Sequence, residues 1–203
     1  MLIRQRRRRA RFRRRVLLFA ILLILLPSFG AREVWRYYMA RPRGIVLHHS
    51  ATASYKDGRP IGAADLDKLH AQRGFEAEYD GRIYHIGYHY VIRADGALER
   101  GRPVTMHGAH AGDFVHNDYV GICVVGCFLR HPAKEYRGPG WRNRVSEEQM
   151  QALTALCLRL CRTYHLRLRD IVLHRDLKPT LCPGAAFPYW ELIHRLHEAG
   201  VPR

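Results

Sequence analysis

Acidic residues are almost missing from the first 36 positions, where Glu33 stands alone among 11 of the chain's 34 Lys and Arg. That leaves 23 bases against 17 acids in residues 37–203, so most of the +16 formal charge belongs to a basic N-terminal run, Arg4 to Arg15. The rest is a mildly basic globular chain. It suits an anionic polymer without naming one. An apolar run of spanning length is missing too. Val16 to Leu26 is uninterrupted but falls short of the ~20 residues of a membrane-crossing helix. Internal repeats are absent, as is low complexity beyond the arginines, which excludes solenoids and arrays. The five cysteines are too few for a disulfide scaffold, and the odd count leaves at least one unpaired.

An Arg-rich segment, a short apolar core and then Pro27, Ser28, Phe29 and Gly30 read as an export signal, with small residues placed for cleavage after Gly30. An uncleaved anchor gives the same topology, with the arginines cytoplasmic and the remainder exported to the periplasm or cell envelope. A nucleic-acid-binding arm has no use for eleven consecutive apolar residues. The expected organisation is a basic region at 1–15, a signal peptide or inner-membrane anchor at 16–30, a linker at 31–43 and a catalytic domain at 44–200.

Within that domain, Ile45-Val46-Leu47-His48 predicts a buried strand, and residues 50–62 a loop. Ala63 to Arg73 predicts a helix with Leu66 and Leu69 inward and Gly74 as its cap. Tyr88 to Arg93 and Ala97 to Arg102 flank Asp95-Gly96 as a hairpin. Val120 to Val125 reads as a central strand. Ser146, with Gln149 three residues on, opens a helix whose Met150, Leu153, Cys157, Leu160, Cys161 and Tyr164 face the core. Ile171 to His174 is another strand, and Pro188 to Glu198 the last helix. Strands and helices alternate without strict βαβ regularity. The expected fold is therefore a single α/β domain, a central mixed sheet flanked by about three helices.

Three segments offer metal ligands at strand ends: Leu47-His48-His49, Leu173-His174-Arg175 and Leu181-Cys182-Pro183. If the first two strands are neighbours, His48 and His174 project from one sheet edge, and the turn through Lys178-Pro179 brings Cys182 back. Two neutral imidazoles and a thiolate suit zinc, and three protein ligands leave a fourth position for water. Each piece alone is weak, since any one of 13 histidines is more often a surface or hydrogen-bonded residue.

Together the motifs resemble the type 2 N-acetylmuramoyl-L-alanine amidases, the superfamily of phage amidase-type lysozymes and peptidoglycan recognition proteins. The resemblance rests on Ile45-Val46-Leu47-His48-His49-Ser50-Ala51-Thr52 and on Gly87-Tyr88-His89-Tyr90-Val91-Ile92 with Asp95-Gly96. It continues in His107-Gly108-Ala109-His110-Ala111 with His116-Asn117, and in His174-Arg175-Asp176 with Pro179-Thr180-Leu181-Cys182-Pro183-Gly184. The matches run in the family's order over about residues 44–190.

The resemblance implies a Zn2+ held by His48, His174 and Cys182, and hydrolysis of the amide between muramic acid and L-alanine in peptidoglycan or muropeptides. It places Tyr88 on the catalytic tyrosine, which orients water or donates to an oxyanion. Thr180 stands where some members have lysine, and a hydroxyl stabilises negative charge less than an ammonium; Lys178 is a candidate for compensating. His89, His110 and Asn117 are expected to touch substrate, with a purely structural role equally open for the two histidines. His48 and His49 face opposite sides of a strand, so one metal takes only the first. The remaining cysteines read as buried small hydrophobes, with a bridge from Cys127 to the long helix as an alternative. The competing reading is a non-catalytic peptidoglycan-binding receptor on the same fold, and relatives of that kind commonly replace the cysteine ligand. A monomer is expected.

Overall fold

A strand buried on both faces reads as a near-continuous apolar run, and any polar residue in it needs partners. The first described strand, β1 (Ile45–His49), is buried at all five positions. The computed structural model describes residues 41–138 and 140–203. The expected basic region and export segment, and all but the end of the linker, lie outside the described residues. Among the described residues no helix is long and apolar enough to cross a membrane.

After β1 comes a small hairpin, β2 (Tyr55–Lys56) and β3 (Arg59–Pro60), then helix α1 (Ala63–Ala71) and a second hairpin, β4 (Ala77–Tyr79) and β5 (Arg82–Tyr84). Next come β6 (Tyr90–Ile92), β7 (Leu98–Arg100), β8 (Val120–Val124) and the long helix α2 (Glu147–Tyr164). The chain closes with β9 (Ile171–Leu173), the single turn α3 (His174–Leu177) and α4 (Tyr189–Glu198).

The main sheet has the order β7-β6-β8-β1-β9. β1 runs parallel to both β8 and β9, β6 runs parallel to β8, and only the edge strand β7 is antiparallel. This is the mixed α/β sheet the alternation predicts.

The two faces carry different cores. Ile45, Leu47, Ile92, Ile122 and Val124 pack under α2 and α4 in the large cluster. Val91, Cys123 and Val125 point the other way, into a small cluster with Leu66 of α1 and with Ile61 and Ile86. α2 starts at the predicted capping box. The Gln149 amide donates to Ser146 Oγ and the Ser146 amide to Gln149 Oε1, each at 3.2 Å. Its predicted core positions are buried, with Tyr164 half-buried against the cluster.

Three details depart from the sequence reading. Leu69 is 40% exposed, and His70 takes the inward position of α1 instead. His70 Nδ1 accepts the Gly87 amide at 2.9 Å, a tertiary bond that outweighs apolar periodicity. The β4–β5 hairpin was not predicted, although Asp80-Gly81, at φ 49° and 72°, carries the two-residue turn signal. All five cysteines are free thiols, so Cys127 forms no bridge.

Candidate metal centre and groove

β1 and β9 are neighbours, with Leu47 opposite Leu173. His48 and His174 are therefore the next residue on each strand, at the carboxyl edge of the parallel sheet, where ligands bind in open α/β folds. The strand ends at Leu173, and His174 is the first residue of α3 rather than the last of β9. One helical turn then carries the chain out, and it returns to place Cys182 beside β1. The Arg175 amide donates to the Cys182 carbonyl at 2.9 Å, which closes this excursion on itself.

The result joins three residues from distant parts of the sequence. Ligand atoms of His48, His174 and Cys182 lie within 4.8 Å of one another. Cys182 Sγ is 3.7 Å from His48 Nδ1 and accepts the His49 amide at 3.4 Å. The imidazoles of His48 and His174 have centroids 4.5 Å apart. His174 Nε2 is buried and has no hydrogen-bond partner. An orphaned buried acceptor facing a second imidazole and a thiol fits a cation far better than it fits a closed polar core.

The electrostatics agree. Burial, followed by the neighbouring His110 and His174, holds His48 well below the ordinary histidine pKa, so the ring is neutral, the form that can bind a metal. Burial and then Lys178 lower His174 in the same sense. Burial pushes the Cys182 thiol up to about 12, opposed by the His49 amide and Arg175. A buried thiol of this kind gives up its proton when a cation arrives.

Tyr88 sits just before β6, its ring 5.1 Å from that of His48 and 5.3 Å from that of His70. Burial raises its pKa well above the usual value, so the phenol stays a donor. The buried Cys123 thiol, opposite His48 in the sheet register, is among the neighbours that add to that rise. Sequence reading placed Cys123 at a strand but not beneath the site. Thr180 Oγ1 accepts the Cys182 amide at 3.3 Å, which leaves the hydroxyl hydrogen free to point outward.

Tyr88, His174, Thr180 and Cys182 line a groove of about 900 Å³ that also takes in Arg73, Lys178, Phe114 and Asn117. Phe114 and Leu181 stand on its rim, 78% and 72% exposed.

The three expected substrate contacts are placed differently. His89 is buried with both ring nitrogens engaged: Nε2 donates to the Met106 carbonyl at 3.0 Å, and Nδ1 accepts the Gly121 amide at 2.9 Å. It does not line the groove. His110 does, but its Nδ1 lies 3.1 Å from His48 Nε2. Asn117 Oδ1 accepts the amides of His110 and Ala111, each at 2.9 Å.

Residues 38–185 match the family model of N-acetylmuramoyl-L-alanine amidases. The endolysin of Enterobacteria phage T3 is 28% identical over 151 residues, 74% of this chain and 86% of the phage protein. A solved endolysin N-acetylmuramoyl-L-alanine amidase from Clostridium intestinale is 32% identical, with a TM-score of 0.58 over 77% of this chain and 84% of that one. Drosophila PGRP-LB shares the fold at 21% identity and a TM-score of 0.53, covering 71% of this chain and 76% of its own.

Proposed function

The chain belongs to the N-acetylmuramoyl-L-alanine amidase family, and from that premise we propose that it hydrolyses the muramoyl–L-alanine amide of peptidoglycan with a zinc ion held by His48, His174 and Cys182. The observation that carries the metal is the cluster itself: three ligand atoms within 4.8 Å, one of them a buried nitrogen without a partner. A bound zinc would supply Lewis acidity, polarising the amide carbonyl and making a water acidic enough to attack near neutral pH.

The chain's own residues do the rest. The groove holds the glycan–peptide junction against the sheet edge. Tyr88 keeps its proton and donates a hydrogen bond to the oxygen that becomes negative as the carbonyl turns tetrahedral. Thr180, its lone pair committed to the Cys182 amide, offers its hydroxyl hydrogen to the same oxygen. Lys178 and Arg73, along the groove, favour a substrate with free carboxylates. The basic and apolar N-terminal segments support work outside the cytoplasmic membrane, on wall polymer or periplasmic fragments. A receptor that only binds peptidoglycan has no need for a complete ligand set beside a protonated tyrosine.

The test is to incubate the purified full-length chain with isolated peptidoglycan, with and without a zinc chelator, and analyse the soluble products by mass spectrometry. Free stem peptides beginning with L-alanine, lost on chelation and restored by zinc, are expected. Zinc-loaded protein that sediments with the wall and releases no such peptide overturns catalysis in favour of binding.

A further inference from the structure

A neutral imidazole carries its proton on one nitrogen or the other, and only the bare nitrogen can bind a metal. The two histidines of the cluster need opposite tautomers. His48 presents Nδ1 to Cys182, so its proton must sit on Nε2. His174 has its unpartnered nitrogen at Nε2, so its proton must sit on Nδ1.

The first requirement is met by one loop. His110 Nε2 lies 3.1 Å from the Tyr119 carbonyl, which can only accept. His110 therefore carries its proton on Nε2, and its Nδ1 is an acceptor. That acceptor is 3.1 Å from His48 Nε2, which must donate. A loop residue thus orients a ligand borne by β1.

The loop is itself pinned. Asn117 Oδ1 accepts both the His110 and Ala111 amides at 2.9 Å, and the Asn117 carbonyl accepts the Gly108 amide at 2.9 Å. Gly121 of β8 makes room for the ring, since a Cβ there would stand 2.3 Å from His110 Cδ2. Ala111 is fully buried and His110 is 7% exposed, so water does not compete for these bonds.

We infer that Asn117, acting through His110, sets the tautomer of His48, and that its role is positioning rather than substrate contact. The inference rests on the reading that His48 is one of the residues that hold the metal. Such outer hydrogen bonds are typically worth 10–100-fold in metal affinity.

The experiment uses the full chain with 15N-labelled histidine, stripped of metal, and reads each ring's proton position from long-range 1H–15N correlations. Zinc affinity is measured separately by competition with a chromophoric chelator. In the wild type, His48 is expected as Nε2–H. Asn117→Ala should mix its tautomers and weaken zinc by about 10- to 100-fold. Asn117→Asp, whose carboxylate accepts the same two amides, should restore both readouts. His110→Ala, a second route that spares Asn117, should mix the tautomers of His48 as well. Unchanged tautomers and affinity in folded Asn117→Ala, or a pure Nε2–H His48 in His110→Ala, overturn the inference. Wild-type tautomers as stated with no zinc bound would leave it standing and remove the metal reading instead.

Discussion

His48 and His49 are adjacent on one strand and belong to different parts of the molecule. His48 looks toward α1 and the groove, beside Tyr88 and across from Cys123. His49 looks toward the large core, its ring 6.1 Å from that of Phe128, and its Nδ1 accepts the Phe128 amide at 3.2 Å. The face under α2 and α4 is closed by apolar packing, and its His49 and Gln149 side chains bond to backbone. The opposite face is thinly packed and rich in histidine. One face supplies stability, and the other is left polar enough to hold a cation. A period of two residues is all that separates them.

The comparison breaks most sharply at the pair itself. His48→Ala should lose zinc by more than the ~100-fold that removal of an outer hydrogen bond can cost, and amide cleavage should fall to background. His49→Leu should keep its zinc and lose about 1–3 kcal/mol of stability, because the Phe128 amide is left without an acceptor. Zinc content and denaturant unfolding of the two variants decide it; a His49→Leu protein that arrives metal-free would erase the distinction.

On the core face, Leu153 of α2 is fully buried. Leu153→Ala should cost about 2–5 kcal/mol in urea unfolding. It should leave zinc stoichiometry unchanged while the protein is folded. Loss of metal in parallel with stability would mean that the two faces are not independent.

The last effect is graded, small at each step of pH, and comes from the groove side. Burial lowers His70 and His89 to about 4. Their unfolded forms take up a proton as pH falls through about 6.5, and their folded forms do so only near 4. Stability of the chelated protein is therefore complete above pH 6.5 and erodes between there and pH 4, by at most ~1.4 kcal/mol per pH unit for each ring. Thermal melts across that range check it, and His89→Gln should flatten the slope.

The large core was legible because its signals are local. The Ile45–Leu47 run, the β-branched Val120–Val125 stretch and the Ser146–Gln149 capping box each announce an element without help from elsewhere. The His48–His174–Cys182 cluster was legible because strand ends point to one edge once two strands are neighbours. What the pattern does not display has a common cause. His70, His89, His110 and Asn117 are each held by backbone amides or carbonyls from other segments, and no periodicity in a sequence displays a carbonyl. The position of Cys123 beneath Tyr88 depends on the β1–β8 register, which a single strand's pattern does not contain.

The excursion from His174 to Cys182 has its ends tied together, by the Arg175 amide on the Cys182 carbonyl and by Arg175 Nη1 on the Gly184 carbonyl at 3.0 Å. Between them Lys178 and Leu181 reach the groove, while Thr180 is tied to the Cys182 amide. A segment anchored in this way can be rewritten at the positions that take no part in the chemistry. The groove is thus open to retuning at Lys178 and Leu181, while the reacting centre stays where the sheet put it.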